Sequence, residues 1–253
     1  MFVYASRMVD MAVAHPGPSR SSSQRRATSG HPHRATVEDW LRIPEGKRAE
    51  LIQGRIVYHA CPGVKHGSSQ GRLNRLLAPY DRRRTGGGGG GGGAGELGGW
   101  WLSLEVDMEI GDVGCRPDVV GWRRDKHARV PHPDARGVVT QTPDFLCEVL
   151  SASTARYDTG EKRDSYFQAG VPHYWLVDPE IKTLTILEWT PRGYLIVKVA
   201  GPGETVRAAP FEGVEIPVDE LFLDEEGEVA APAPPTPAAA PAGAKKRAPR
   251  RPR

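Results

Sequence analysis

The sequence predicts an α/β domain over residues 36–223, a mixed sheet flanked by helices with a C-terminal β extension, and three observations carry that prediction. Residues 102–110 alternate strictly between apolar and polar, so one face of an extended segment is buried and the other wet. Residues 143–150 are almost continuously apolar, the pattern of a central strand. A helical stretch separates that segment from another apolar run at 174–178, and a strand-helix-strand unit of this kind joins parallel strands by a right-handed crossover.

The elements follow in order. Thr36 with Asp39 three residues on is a helix N-terminal signal, opening a short helix over 36–41. Residues 50–54 lead into 55–60 as a hairpin, with Gly54 near its turn. Leu73, Leu76 and Leu77 fall at helical spacing and predict a helix over 66–77, ended by Pro79. The strand at 102–110 passes through a Gly-rich turn at 111–114 into a second strand at 116–122, and 143–150 is the third. Asp158 and Glu161 form a capping pair for a helix that runs to Gly170 and is stopped by Pro172. After the strand at 174–178, residues 184–188 and 194–199 pair across a turn at 191–193. The order is helix, three strands, helix, strand, then the extension.

Residues 1–35, rich in Ser, Arg, Pro and His, and the Pro/Ala/Lys/Arg tail at 224–253 bury too little apolar surface to offset the entropy of ordering. Both are expected to be disordered. Eight consecutive glycines at 86–93 are followed by no Gly-Lys-Ser/Thr and no helix start, so residues 86–99 read as a flexible surface loop and not a phosphate loop.

The formal net charge of +3 hides an uneven distribution. Residues 1–35 and 229–253 hold eleven basic residues and one acidic residue, leaving 23 basic against 30 acidic in residues 36–228, a net of about −7. Such a domain does not grip nucleic acid through a broad basic face. The tails can supply weak, salt-sensitive attraction to phosphates or to an acidic partner. Cys61, Cys115 and Cys147 are odd in number and form no CxxC pair, which argues against a zinc site or a disulfide framework and for a reducing cytoplasm. Arg7 and Asp10 interrupt the N-terminal apolar stretch, so neither a signal peptide nor a membrane span is expected. There is no G-x-S-x-G, dinucleotide loop, helix-turn-helix or zinc finger.

Two carboxylates stand out because each sits in an otherwise apolar strand: Asp118 and Glu148. An ionised carboxylate in a sheet core is costly unless it is paired. A divalent metal is one such partner, and magnesium accepts one or two carboxylates with water and phosphate oxygens. A salt bridge or an exposed strand end is the alternative for each. Helical spacing puts Lys162 and Tyr166 on one face of the next helix, beside Ser165 and Ala169. Packed on the sheet, that face would bring the ammonium to the carboxylates, where it could orient a water or stabilise charge developing in a transition state. Set among Glu161, Arg163 and Asp164, Lys162 could equally be a solvated helix lysine.

The block from Pro143 through Glu148, Asp158, Lys162 and Tyr166 to Gly170-Val-Pro-His-Tyr-Trp-Leu-Val-Asp-Pro179 resembles the Uma-two family of restriction-endonuclease-like proteins. Arg116-Pro-Asp-Val-Val120, Glu50-Leu-Ile-Gln-Gly54 and Phe211-Glu-Gly-Val214 match the same family, and the likeness covers about residues 36–222. That family is placed in the PD-(D/E)xK nuclease superfamily, which implies a restriction-endonuclease-like α-β-β-β-α-β core and magnesium- or manganese-dependent hydrolysis of nucleic-acid phosphodiesters. By the resemblance, Asp118 takes the first acidic position and Glu148 the second, together the metal ligands. The superfamily lysine would stand two residues after Glu148, where this chain has Leu150; within the family the role falls on Lys162. Glu50 matches the early Glu and would add a carboxylate or a water ligand, or else a structural salt bridge. His66 lies where the family often has a histidine, and a capping or packing role is expected for it. The implied partner is nucleic acid, with DNA favoured, and a homodimer would suit a double-strand cutter. The rivals are a catalytically inactive binding module of the same fold and an assembly protein that docks a partner through its basic tail.

Overall fold

The structure is a computed structural model and describes residues 34–44, 46–82 and 97–223. The glycine run at 86–93, residues 1–33 and the 224–253 tail lie outside the described residues.

Helix α1 (Val37–Leu41) opens with the expected capping box, Thr36 and Asp39 each bonding the other's backbone N–H. Strands β1 (Ala49–Ile52) and β2 (Arg55–Tyr58) form the predicted hairpin. Its two turn residues, Gln53 and Gly54, both have positive φ (48° and 77°), which suits the right-handed twist of the paired strands. A Cβ on Gly54 would lie 2.6 Å from Arg34 Nε, so glycine serves both the turn and the close approach. Helix α2 (Val64–Leu77) runs on into a 3-10 turn at Ala78–Tyr80. Pro79 stands in the first turn of that 3-10 segment, where its missing N–H costs little, so the chain stops one turn later than expected.

Residues 102–110 are not one strand. They divide into β3 (Trp100–Ser103) and β4 (Met108–Ile110), which belong to different sheets. Glu105 turns the corner at φ 49°, its N–H bonded to Pro117 O at 3.1 Å. The side-on pair of Arg116 with Asp107 holds the other side of the bend. Alternation is a local property of an extended chain and persists through a change of sheet. Strand β5 (Val113–Cys115) then pairs back on β4, occupying part of the expected Gly-rich turn, and β6 (Val119–Arg123) follows.

Strand β7 (Phe145–Val149) is buried at every position. The helix expected after it is in two pieces, α3 (Ala155–Asp158) and α4 (Glu161–Gln168). Asp158 does not cap α4: Gly160 occupies that position and no side chain caps it. Strands β8 (His173–Asp178), β9 (Thr183–Thr190) and β10 (Gly193–Ala200) complete the order β10-β9-β8-β7-β6-β3. In that six-stranded sheet β7 and β8 are parallel, joined by the helical crossover, and the other pairs are antiparallel. A four-stranded antiparallel sheet, β2-β1-β5-β4, stands beside it, and β11 (Thr205–Val206) pairs with β12 (Ile216–Pro217). The fold is a mixed α/β architecture with a central mixed sheet flanked by helices.

The two faces of β7 have different companions. Phe145, Cys147 and Val149 join Leu73 and Leu77 of α2 in one apolar cluster. Phe211 closes it, its ring 4.8 Å from Phe145, 4.9 Å from Tyr80 and 5.0 Å from Trp100. On the other face, Leu146 joins Met108, Val113, Tyr166 and Tyr174, and there β7 also presents Glu148. Among the described residues no helix is long and apolar enough to cross a membrane.

Candidate active site

Glu148 stands two residues from Leu146 on β7 and shares its face, so its side chain leaves the sheet on the face covered by α4 and the smaller sheet. Asp118 ends the segment that enters β6, and the register Val119↔Cys147 places it beside Glu148 across the ladder. The two carboxylates interlock through backbone. Val149 N–H donates to Asp118 Oδ2 at 2.7 Å, and Asp118 N–H donates to Glu148 Oε2 at 3.4 Å. Strand pairing, a long-range property, therefore fixes their spacing.

Lys162 reaches this pair from α4. Its Nζ lies 2.9 Å from Glu148 Oε1, 3.1 Å from Glu50 Oε1 and 2.8 Å from Asp158 Oδ1, and its side chain is 3% exposed. Tyr166, one turn further on, donates its hydroxyl to Glu148 Oε1 at 2.8 Å. Glu50 on β1 accepts from Arg116 N–H at 3.2 Å and faces His59 Nε2 at 3.0 Å. His66 Nε2 stands 3.3 Å from Asp118 Oδ2, and Gln70, one turn along α2, donates to Asp118 O at 3.0 Å.

All four residues singled out in the sequence, Glu50, Asp118, Glu148 and Lys162, line one cleft. Lys162 is buried, not a solvated helix lysine. Of the two roles expected for His66, capping is excluded, since Gly63 stands at the N-cap of α2; His66 is buried in the wall of the cleft against Asp118. Asp158 and His59 were missed. Asp158 precedes Lys162 by four residues, a spacing that signals a helical ion pair, but its pattern with Glu161 also fits a cap. His59 meets Glu50 only through the hairpin register, which a sequence does not display. Cys115 and Cys147 are buried, Cys61 is exposed, and all three are free.

The electrostatics follow from burying one ammonium among three carboxylates, Glu50, Glu148 and Asp158, with Asp118 beside Glu148. Burial raises Glu148 well above the ordinary carboxylate range, and Asp158, Asp118 and Glu50 add to this while Lys162 opposes it. Asp158 is raised by burial in the same way. For Glu50 burial is outweighed by Lys162, His59 and the Arg116 N–H, which bring it down to about 2. Burial disfavours the charged lysine, yet Asp158, Glu148 and Glu50 lift Lys162 well above its usual value. Burial likewise opposes protonation of His66, and its contact with Asp118 raises it all the same.

This donor set fits a divalent cation. Burial is what chiefly pushes Glu148 and Asp158 upward, and the neighbouring carboxylates add to it. Among the described residues no hydrogen bond or ion pair reaches Asp118 Oδ1, which leaves that oxygen available. Also among the described residues, no group of three or more His, Cys, Asp or Glu is arranged to hold a metal. Asp118 and Glu148 would supply two carboxylates, a number that magnesium accepts beside waters and phosphate oxygens.

Residues 36–219 match the model of the Uma2 family, described as "Putative restriction endonuclease". The chain belongs to the Uma2 family. Among solved structures it is similar to one described as "a putative nuclease" from Anabaena variabilis, with 19% sequence identity and a TM-score of 0.56. That likeness covers 74% of this chain and 97% of the other, and it speaks to a shared nuclease fold. No curated protein matches the chain. In this Uma2 member the position two residues after Glu148 is held by Leu150, whose N–H bonds Val177 O at 2.8 Å and whose side chain packs in the apolar cluster.

Proposed function

We propose that this cleft hydrolyses nucleic-acid phosphodiester bonds with the help of magnesium or manganese. The observation that carries the reading is the convergence of Asp118, Glu148 and Lys162 from three separate elements on one cleft, in a chain of a nuclease-like family. Asp118 and Glu148 would hold the cation. When bound, such a cation supplies a water of lowered pKa and neutralises charge on the phosphate.

The chain's own residues do the rest. Lys162 stays protonated at neutral pH because three carboxylates surround it, so it acts as a fixed positive charge and donor and not as a base. It holds Glu148 Oε1 from one side while Tyr166 holds it from the other, which fixes the carboxylate's direction. Glu50 and Asp158 anchor the ammonium, and Glu50, held at about 2, is too weak a base to take a proton from water. His66 and Gln70 fix Asp118 by side chain and by carbonyl. Rigid placement of charged groups before the reaction is the main means by which phosphoryl transfer is accelerated.

The test is a cleavage assay on single-stranded DNA, duplex DNA and RNA with magnesium or manganese, comparing wild type with Asp118→Asn and Glu148→Gln. Each variant is expected to lose about 10²–10³-fold in rate, the scale of removing a group that stabilises transition-state charge, while circular dichroism stays unchanged. Cleavage by either variant at the wild-type rate, or none by the wild type on any substrate, would overturn the proposal.

A further inference from the structure

The cleft contains a second kind of group that the hydrolytic reading does not use. Among the described residues its lining holds three Lys or Arg side chains, Arg48, Arg116 and Lys162. Lys162 is committed to three carboxylates at its base. The arginines are about one-third exposed, with side chains at 33% and 34%.

Each arginine is held along one edge. Arg116 donates Nε and Nη2 to Asp107 at 2.8 and 3.0 Å. Arg48 donates Nη2 to Glu105 Oε2 at 2.9 Å. Among the described residues no hydrogen bond or ion pair engages Arg116 Nη1 or Arg48 Nε. A guanidinium fixed on one edge keeps its orientation and presents the other edge, and its planar fork matches the paired oxygens of a phosphate.

Both arginines are tied to the carboxylates. Glu105 Oε1 also faces Gln70 Nε2 at 3.4 Å, and the same nitrogen donates to Asp118 O. Arg116 donates its backbone N–H to Glu50 Oε1. A phosphodiester approaching four buried carboxylates on a net acidic domain meets repulsion, so affinity requires positive charge at the wall of the cleft.

We propose that Arg48 and Arg116 bind the non-bridging oxygens of the nucleic-acid phosphate adjacent to the one cleaved. This rests on the hydrolytic reading of the cleft and assigns it a second phosphate subsite. The contact is to the backbone, so it is independent of base sequence.

Binding is measured by fluorescence anisotropy with a labelled 14-nucleotide DNA strand, its duplex and the RNA of the same sequence, using calcium in place of magnesium, across a salt series. The double variant Arg48→Gln/Arg116→Gln should weaken binding of every probe that the wild type holds. It should also flatten the slope of log affinity against log salt by about 0.7–0.9, the value for one lost phosphate contact. The charge-matched variant Arg192→Gln/Arg207→Gln, whose residues do not line the cleft, should keep the wild-type slope. A merely structural role for the two ion pairs would lower the melting temperature and leave the slope alone. Should the Gln variant fail to fold, Arg48→Lys/Arg116→Lys keeps the charges and loses the forks, and is expected to lower affinity with little change of slope. An unchanged slope and affinity in a folded Gln variant, an equal loss in the charge-matched variant, or full affinity in the Lys variant overturns the subsite alone. A wild type that binds none of the probes overturns the hydrolytic reading together with it.

Discussion

The two faces of β7 solve opposite problems on one strand. Phe145, Cys147 and Val149 face an apolar cluster closed by Phe211, where any side chain of suitable volume and shape would serve. Leu146 and Glu148 face the other side, where Glu148 is tolerated only because Lys162, Tyr166 and the Asp118 N–H surround it. The first face needs shape; the second needs partners drawn from separate elements, and loss of one leaves charge buried. Stability and candidate chemistry thus share a strand without sharing a mechanism.

The sharpest way to break that comparison is to damage each face by a similar amount. Phe211→Ala should cost about 3–5 kcal/mol through the cavity it leaves. Lys162→Met should cost about 3–5 kcal/mol by leaving buried carboxylates unpaired. The two losses should part company with pH. Glu148 and Asp158 lie above their unfolded values of 4.5 and 3.8, so the folded state keeps protons that the unfolded chain has released. Their contribution is present at low pH and lost as pH rises above those values. Lys162 opposes the upward shift, so removing it should steepen the loss, and chemical denaturation of Lys162→Met should show a deficit that shrinks on acidification. The Phe211→Ala deficit should stay nearly constant, and parallel pH curves for the two variants would contradict the distinction.

A smaller effect is expected at the opposite end of β7, where His173 pairs with Phe145. Burial lowers His173 from 6.5 to about 4. The unfolded chain then binds the proton that the folded state refuses, so stability should fall as pH drops from 6.5 to about 4. At about 1.4 kcal/mol per pKa unit the loss is at most about 3.5 kcal/mol. His173→Gln should flatten the pH dependence in that window, and an unchanged slope would show that the imidazole is not its source. Smallest of all, Gly54→Ala should cost about 1–2 kcal/mol for a side chain at positive φ. It should leave cleavage intact, since Gly54 does not line the cleft; a melting temperature equal to wild type would show that the turn relaxes.

What the sequence revealed follows the same division. The capping box of α1, the Gly54 hairpin, the buried β7 and the crossover to β8 were legible because each depends on residues close in sequence. The break between β3 and β4 was not, because alternation looks the same on either side of a change of sheet. In the site, Asp118, Glu148, Lys162 and Glu50 were visible as charges in apolar surroundings or through family resemblance. Asp158 was read as a cap because an acidic residue near a helix start serves either purpose; only the fold turns it inward onto Lys162. The pairings of His59 with Glu50 and of His66 with Asp118 depend on strand register and helix docking, which no local pattern encodes.

The most direct test of the central claim is calorimetric titration of magnesium and of manganese, with a short oligonucleotide present, into wild type and into the Asp118→Ala/Glu148→Ala variant. Saturable binding in the wild type that vanishes in a folded double variant is the predicted result. Equal binding in both proteins, or none in either, would contradict the assignment of this carboxylate pair as the site of a divalent cation.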